Sequence, residues 1–535
     1  MPPGGQLNVI HSVTFSNPQI QASPLAAWPA PASARARWRR APRAARLAVA
    51  LAGLVAIGVY LSVAVSRLGY PFAVESLEGN SLVEVHRILV GQPLYPAPAA
   101  GYVPDGYPPL YFAVSAAAAR VLGVSYLPLR LVSLLSSLAC FALLARLVQR
   151  ETGSLAAGTG AAGLFAATYF VTGSWFDVAR VDSLFLALSI AGLYAARWMS
   201  GPPGAVAAGL LLATAALTKQ TGLAEGAMVL AVLLTGPRRR LACIAALTEA
   251  AVVGVSTLVL GLTSGGWYVF YVFRLMSEHS LTASHLGWFW RALLTALGLA
   301  VCAALVGARR VPRELLAGAA ALAVGGYATL VHSGGTINDM LPAYLAVAML
   351  ASLALGSDST WWVSTAAGML VLAQTVFLLA GAHPSQAVPP SSGRAAGERL
   401  VAGMRAFGGD VAVPDDPDLS LVAGMAPAAH PDAVHDMLRA TNQEAIAAYR
   451  RSAEEAVRAR QFSAIITDRR GLPLDSPPGF LQDYQECVQP LTAGNPVTLP
   501  VPIEWRHARP VVVWIPRGRG SCRVALRALG GGGRP

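Results

Sequence analysis

Uncharged apolar runs long enough to cross a bilayer constrain this chain more than any other feature. The stretches 47–66, 155–176, 315–331 and 360–382 carry no charged side chain. Each is about the length that spans a ~30 Å hydrocarbon core as a helix. Composition agrees: of 535 residues, 54% are hydrophobic and 13% charged, with mean hydropathy +0.51. A soluble domain carries charge at about a quarter of its positions. The net charge of +12 invites a nucleic-acid reading, but the basic residues lie beside the apolar segments, as the positive-inside rule expects. Nucleic acid is therefore excluded as a partner, and membrane lipid is included.

Arginine placement sets the threading. Residues 1–34 read as a disordered Pro-, Ala-, Ser- and Gln-rich tail, followed by Arg35, Arg37, Arg39, Arg40, Arg43 and Arg46. With this 1–46 segment cytoplasmic, the apolar stretch that follows is an uncleaved first helix; it is too long for a signal peptide and lacks a clear cleavage site. It delivers residues 67–109 to the outer face. The 110–123 stretch, with Arg120, is short and reads as a helix on or dipping into that face. Further helices are predicted near 127–148, 155–173, 182–198, 203–218, 221–235, 241–262, 289–308, 314–331, 340–356 and 360–382. Their inner turns hold Arg146 and Arg150, Arg197, Arg238 to Arg240, and Arg309, Arg310 and Arg313; the turn at 357–359 has no basic residue. The expectation is an α-helical polytopic protein of the cytoplasmic (inner) membrane, with about eleven transmembrane helices over 47–382.

Beyond a Pro-, Ser- and Gly-bearing linker at 383–393, residues 394–535 read as an extracytoplasmic α/β domain. Apolar β-rich runs at 410–413, 464–467 and 511–515 alternate with helical stretches such as 435–458. Cys487 and Cys522 would pair if this tail lies in an oxidising compartment, whereas Cys140, Cys243 and Cys302 read as small residues of apolar helices.

The outer face collects the chain's polar chemistry, and carboxylates at membrane level are expensive enough to mark a site when several converge. The first loop carries Glu75, Glu78, Asn80, Glu84, His86 and Arg87, and closes on Tyr107-Pro108-Pro109-Leu110-Tyr111. Later turns hold Trp175, Asp177, Arg180 and Asp182; Lys219, the only lysine, with Gln220; Trp267, Tyr268, Tyr271, His279 and His285; and Asn338 with Asp339. Ordinary roles stand beside these. Glu84 and Arg87 at i, i+3 read as a surface pair, and Arg180 with Asp182 reads equally as a helix-end ion pair. His279 and His285 read as solvated loop residues, and the aromatics of 267–271 as interface anchors. Glu75 and Glu78 are different: a carboxylate there can take a proton from an attacking hydroxyl, while Lys219 meets a phosphate as a point charge.

The ordered set Glu75-x-x-Glu78-Gly79, Arg87 to Tyr95, Tyr107 to Tyr111, Arg130-Leu-Val-Ser133, Arg180-Val-Asp182, Leu217-Thr-Lys219-Gln220 and Asn338-Asp-Met-Leu-Pro342 resembles bacterial membrane glycosyltransferases of the GT-C type. The group most similar is that of the protein O-mannosyltransferases and the lipid A aminoarabinose transferase, glycosyltransferase family 39-like. The resemblance covers about 45–382. It implies transfer of a sugar from a polyprenyl-phosphate donor to a glycan, lipid or protein acceptor on the outer face, with inversion. It also implies Glu75 or Glu78 as general base, Lys219 and Arg180 at the donor phosphate, and Asp177 and Asp182 at sugar hydroxyls or orienting the basic groups. Tyr107, Gln220 and Asn338 complete the expected substrate-binding set. Many relatives have Asp and Glu adjacent, or Asp ahead of Glu-Gly, where this chain has Glu75 and Glu78-Gly79, so the choice of base stays open. Some relatives use a divalent metal, and no ligand set for one is evident. A transporter or flippase for a lipid-linked glycan, or a non-catalytic envelope assembly factor, is the alternative; for the transporter, Glu225 and Glu249 are the few charges inside helices.

Overall fold

The computed structural model describes residues 43–356, 361–467, 477–488, 499–501, 506–508, 512–518 and 522. The expectations for the tail before residue 43 and for the turn at 357–359 lie outside the described residues.

The apolar runs fold as helices because a helix satisfies its own backbone polar groups where water is absent. In chain order these are α1 (Arg43–Leu68), α2 (Glu78–Leu89), α3 (Leu110–Leu122), α4 (Tyr126–Thr152), α5 (Leu155–Ala167), α6 (Asp182–Trp198), α7 (Gly201–Ala216), α8 (Gly222–Leu234), α9 (Arg239–Thr263), α10 (Ala283–Gly307), α11 (Arg313–Val331), α12 (Leu341–Leu353) and α13 (Trp361–Ala380). Every helix anticipated between 127 and 382 is present.

The number of crossings needs correction. Seven helices among the described residues, not eleven, are long and apolar enough to cross a membrane: Arg43–Leu68, Tyr126–Thr152, Arg239–Thr263, Ala283–Arg310, Arg313–Val331, Ile337–Gly356 and Trp362–Ala380. The other four, α5 to α8, have 13, 17, 16 and 13 residues. At 1.5 Å per residue they reach about 20–26 Å, short of the ~30 Å core. They stop early because the chain unwinds into the polar turns 168–181 and 217–221, which carry the candidate site.

Small residues let these helices approach. A Cβ on Gly163 of α5 would lie 2.0 Å from Cα of Gly53 in α1, so only glycine fits that crossing. At one end of the bundle the arginine-bearing turns are tied together: Arg197 meets Glu151 at 2.7 Å and Arg238 meets Glu314 at 2.6 Å. The loop carrying Glu75 lies at the other end of the same helices, together with the C-terminal residues.

Those C-terminal residues add α14 (Ser391–Arg405), β1 (Val411–Ala412), α15 (Pro417–Val422), α16 (Pro431–Arg439), α17 (Gln443–Arg458), β2 (Ala464–Thr467), β3 (Tyr484–Val488), β4 (Leu499–Val501), β5 (Arg506–Ala508) and β6 (Val512–Pro516). The stretch expected as one helix over 435–458 breaks at 440–442, where Asn442 accepts from the Ala445 N–H at 3.0 Å and caps α17. A four-stranded sheet runs β1-β2-β6-β3, with β1 parallel to β2 and the other pairs antiparallel; β4 and β5 form a separate ribbon. Phe480, Tyr484 and Trp514 pack on this sheet as a buried aromatic cluster. Cys487 and Cys522 form a disulfide.

The domain docks on the first loop. Ala429 donates to the Ala100 carbonyl at 2.8 Å, and Thr441 donates to Glu278 at 2.7 Å. Tyr268 and Tyr271 are fully buried in a cluster with Ala433, Val434 and Met437 of α16. The expectation of interface anchors there is therefore replaced for these two tyrosines by contact between domains. His279 is likewise buried rather than solvated, with Nε2 on the Asp436 carbonyl at 2.7 Å.

Candidate active site

The first loop is held by two buried arginines at helix ends. Arg130, in the first turn of α4, donates to the carbonyls of Arg67, Tyr70 and Phe72, and grips Glu78 at 3.0 and 2.7 Å. The backbone N–H groups of Val74 and Ala179 complete the Glu78 carboxylate at 2.8 and 2.7 Å. Burial pushes this carboxyl upward, but Arg130 and the two N–H donors outweigh that and hold it below the usual range. Arg67, at the end of α1, bonds Asp177 at 3.2 Å and the Tyr169 hydroxyl at 2.9 Å, while Tyr169 donates to Asp177 at 2.6 Å. Glu78 and Asp177 thus each have a guanidinium of their own and fix the loops to the bundle.

Glu75 sits differently. It is 1% exposed, and its Oε2 lies 3.5 Å from Nη1 of Arg180. Its Oε1 accepts from the Leu77 N–H at 3.1 Å. Arg180 also donates to the Tyr107 hydroxyl at 3.1 Å, and its guanidinium carbon lies 5.3 Å from the Trp175 ring. Desolvation pushes the Tyr107 phenol up to about 12, against the pull of Arg180 and Lys219. Lys219 lies on the turn between α7 and α8, with Nζ 2.9 Å from Asp182 and 3.4 Å from Asp339.

Gln220 is turned toward the backbone, donating to the Gly106 and Val272 carbonyls at 3.0 and 3.3 Å. Asn338 accepts from the Thr336 hydroxyl and stands beside Asp182. The structure therefore brings Glu75, Arg180, Tyr107, Lys219, Asp182 and Asn338 into one chain of neighbours. Glu78 and Asp177 stand as its supports. Arg180 and Asp182 do not pair at a helix end: the guanidinium goes to Glu75 and Tyr107, and the carboxylate goes to Lys219.

Other residues emerge only in three dimensions. Asp339 closes the Lys219 group. Glu84 does not pair with Arg87 on a surface; it is fully buried and accepts from the Asp105 N–H at 2.9 Å. Burial and the nearby Asp105 push its carboxyl well above the usual range. Arg87 instead caps the Pro93 carbonyl and stacks over Tyr102 at 4.0 Å. The i, i+3 spacing carries no sign of this, because the face of α2 that becomes buried is set by its neighbours. Among the described residues, no three His, Cys, Asp or Glu side chains converge as metal ligands.

No family model matches the sequence, and no curated protein matches it. Solved structures do. ArnT from Cupriavidus metallidurans bound to undecaprenyl phosphate superposes with a TM-score of 0.56 at 13% identity, covering 88% of this chain and 98% of that one. Its apo state gives 0.53 at 14% identity, covering 86% and 97%. The chain shares the fold of these ArnT structures. The superposition covers more of this chain than the 45–382 stretch that carries the sequence resemblance.

Proposed function

We propose that this chain is a membrane glycosyltransferase, similar to the family 39-like group, that moves a sugar from a polyprenyl-phosphate donor to a cell-envelope acceptor. The observation that carries the reading is one buried constellation, Glu75–Arg180–Tyr107 with Lys219 beyond it, on a fold shared with a protein solved bound to undecaprenyl phosphate. Glu75 is the general base. Its carboxylate meets Arg180, which also holds Tyr107 on the side toward Lys219, whereas Glu78 is turned to Arg130 and two backbone donors that anchor the loop.

The acceptor hydroxyl attacks the anomeric carbon from the side opposite the phosphate. The new C–O bond forms as the bond to the phosphate oxygen breaks, and the electron pair leaves with the polyprenyl phosphate. Its charge falls to Arg180 and Lys219, and the acceptor's proton goes to Glu75. Displacement of this kind inverts the anomeric centre. Asp182 and Asp339 orient the Lys219 ammonium; Gln220 and Asn338 hold the turns on which these groups sit. The reaction belongs on the outer face of the inner membrane, with the N-terminus cytoplasmic and the C-terminal domain outside.

The test incubates purified protein with a panel of polyprenyl-phosphate sugars and follows donor turnover, with Glu75→Gln alongside. General-base loss lowers turnover by about 10²–10⁴-fold. Full turnover in Glu75→Gln, retained when Glu78→Gln is added, overturns the assignment of the base; no turnover of any donor by the wild type overturns the function. A parallel arm with chelator, then Mg²⁺ or Mn²⁺ restored, measures metal dependence.

A further inference from the structure

Two carboxyl groups inside the helical bundle are not used by the proposed reaction. Glu225 lies in the first turn of α8 and Glu249 near the middle of α9, on neighbouring antiparallel helices joined by the 235–238 turn. They are 1% and 7% exposed. The helices are shaped around them: a Cβ on Gly226 would lie 2.0 Å from Oε1 of Glu249, so the glycine opens the notch into which that carboxyl fits. Both oxygens of Glu225 lack a hydrogen-bond partner, and the Ser189 hydroxyl of α6, also buried and unpartnered, faces them. The other group set toward Glu225 is the Cys140 thiol of α4. Among the described residues no basic side chain pairs with either glutamate. Lys219, the basic residue nearest to Glu225 along the chain, is held by Asp182 and Asp339.

Two buried carboxylates, one seated at the glycine that follows the other, would cost several kcal/mol each as ions without a cation. A metal ion needs more donors than two carboxyls and one hydroxyl provide. A proton needs only one donor and one acceptor, and it supplies the hydrogen bond that the orphaned oxygens lack. We propose that Glu225 and Glu249 bind a proton between them, forming an acid pair that clamps α8 to α9 and reacts with hydrophobic carbodiimides. In that reaction the carboxyl O–H adds across a C=N bond of the reagent. The oxygen bonds to the central carbon, the proton moves to nitrogen, and the O-acylisourea rearranges to a stable N-acylurea with nothing lost. The inference is independent of the glycosyltransferase reading.

The experiment uses the full chain in detergent and in native membranes. Infrared difference spectra between the wild type and Glu225→Gln/Glu249→Gln should show a carboxylic-acid C=O band present only in the wild type. Dicyclohexylcarbodiimide should leave an adduct on a peptide carrying Glu225 or Glu249, absent from the double variant. Each single Gln variant should retain the wild-type melting temperature, since the amide N–H replaces the acid O–H as donor; the single variants also supply reduced bands if the double variant does not fold. A wild-type spectrum with carboxylate alone at these positions overturns the proposal, whatever the reagent does.

Discussion

Glu75 and Glu78 are three residues apart, yet their surroundings give them opposite expected behaviour on substitution. Glu78→Gln leaves Arg130 buried without its counter-charge, so the loss should appear as stability: about 3–5 kcal/mol for a broken buried pair, read by denaturant or thermal unfolding. Glu75→Gln leaves Arg180 with Tyr107 and the nearby Asp105 and Asp182, so it should destabilise less than Glu78→Gln and chiefly lose turnover. Asp418 of α15 offers a pH-dependent test. It is 1% exposed, and a Cβ on Gly79 would lie 2.6 Å from its Oδ1, so the glycine after Glu78 makes room for this carboxyl. Burial first, then the nearby Glu78, raises it to about 6, with Tyr126 and Arg130 pulling the other way. A carboxyl raised on folding stabilises the native state while protonated, and that contribution is lost as pH rises from the unfolded value through about 6. Asp418→Asn should therefore melt with the wild type near pH 4 and be more stable at pH 8, by on the order of 2 kcal/mol. Equal melting at both values would show that Asp418 does not titrate as its burial demands.

Helix length and helix contact decide where the site lies. Because α5 to α8 are short, their connecting turns place Arg180 and Lys219 below the end of the bundle, among side chains rather than in open solvent. The close approach of α1 and α5 keeps Arg67 and Tyr169 in register with Asp177. Gly163→Leu should force those helices apart, since its Cβ alone already overlaps Gly53. The expected cost is at least the 1–3 kcal/mol typical of overpacking, read as a lower melting temperature in detergent, with turnover falling in the surviving protein. A Gly163→Leu variant with unchanged melting would mean that the two helices do not meet as described.

At the scale of the whole molecule, arginine-bearing turns gather at one end of the bundle, and the acidic loop with the disulfide-bearing domain at the other. The proposed orientation, with the arginine-bearing turns cytoplasmic, would put the Cys487–Cys522 pair in an oxidising compartment, where such a bond persists. A cysteine introduced at Ser76 should react with a membrane-impermeant thiol reagent in intact cells, and one at Gly236 only after permeabilisation. The reverse pattern would invert the topology and detach the disulfide from its physical reason.

The apolar runs alone determined that this is a bundle of helices, where most of them begin and end, and that a mixed domain follows. Local periodicity and charge suffice for that, because a helix is stabilised by partners within a few residues. The same logic placed Glu75, Arg180 and Lys219 at one end of the bundle. It did not show that Arg130 claims Glu78, that Glu84 is buried against Asp105, or that α15 brings Asp418 to the first loop. Arg130 and Glu78 are 52 residues apart in the chain. Which carboxylate keeps a guanidinium to itself and which shares one is settled only when distant segments pack, since desolvation and pairing depend on neighbours that sequence spacing does not specify.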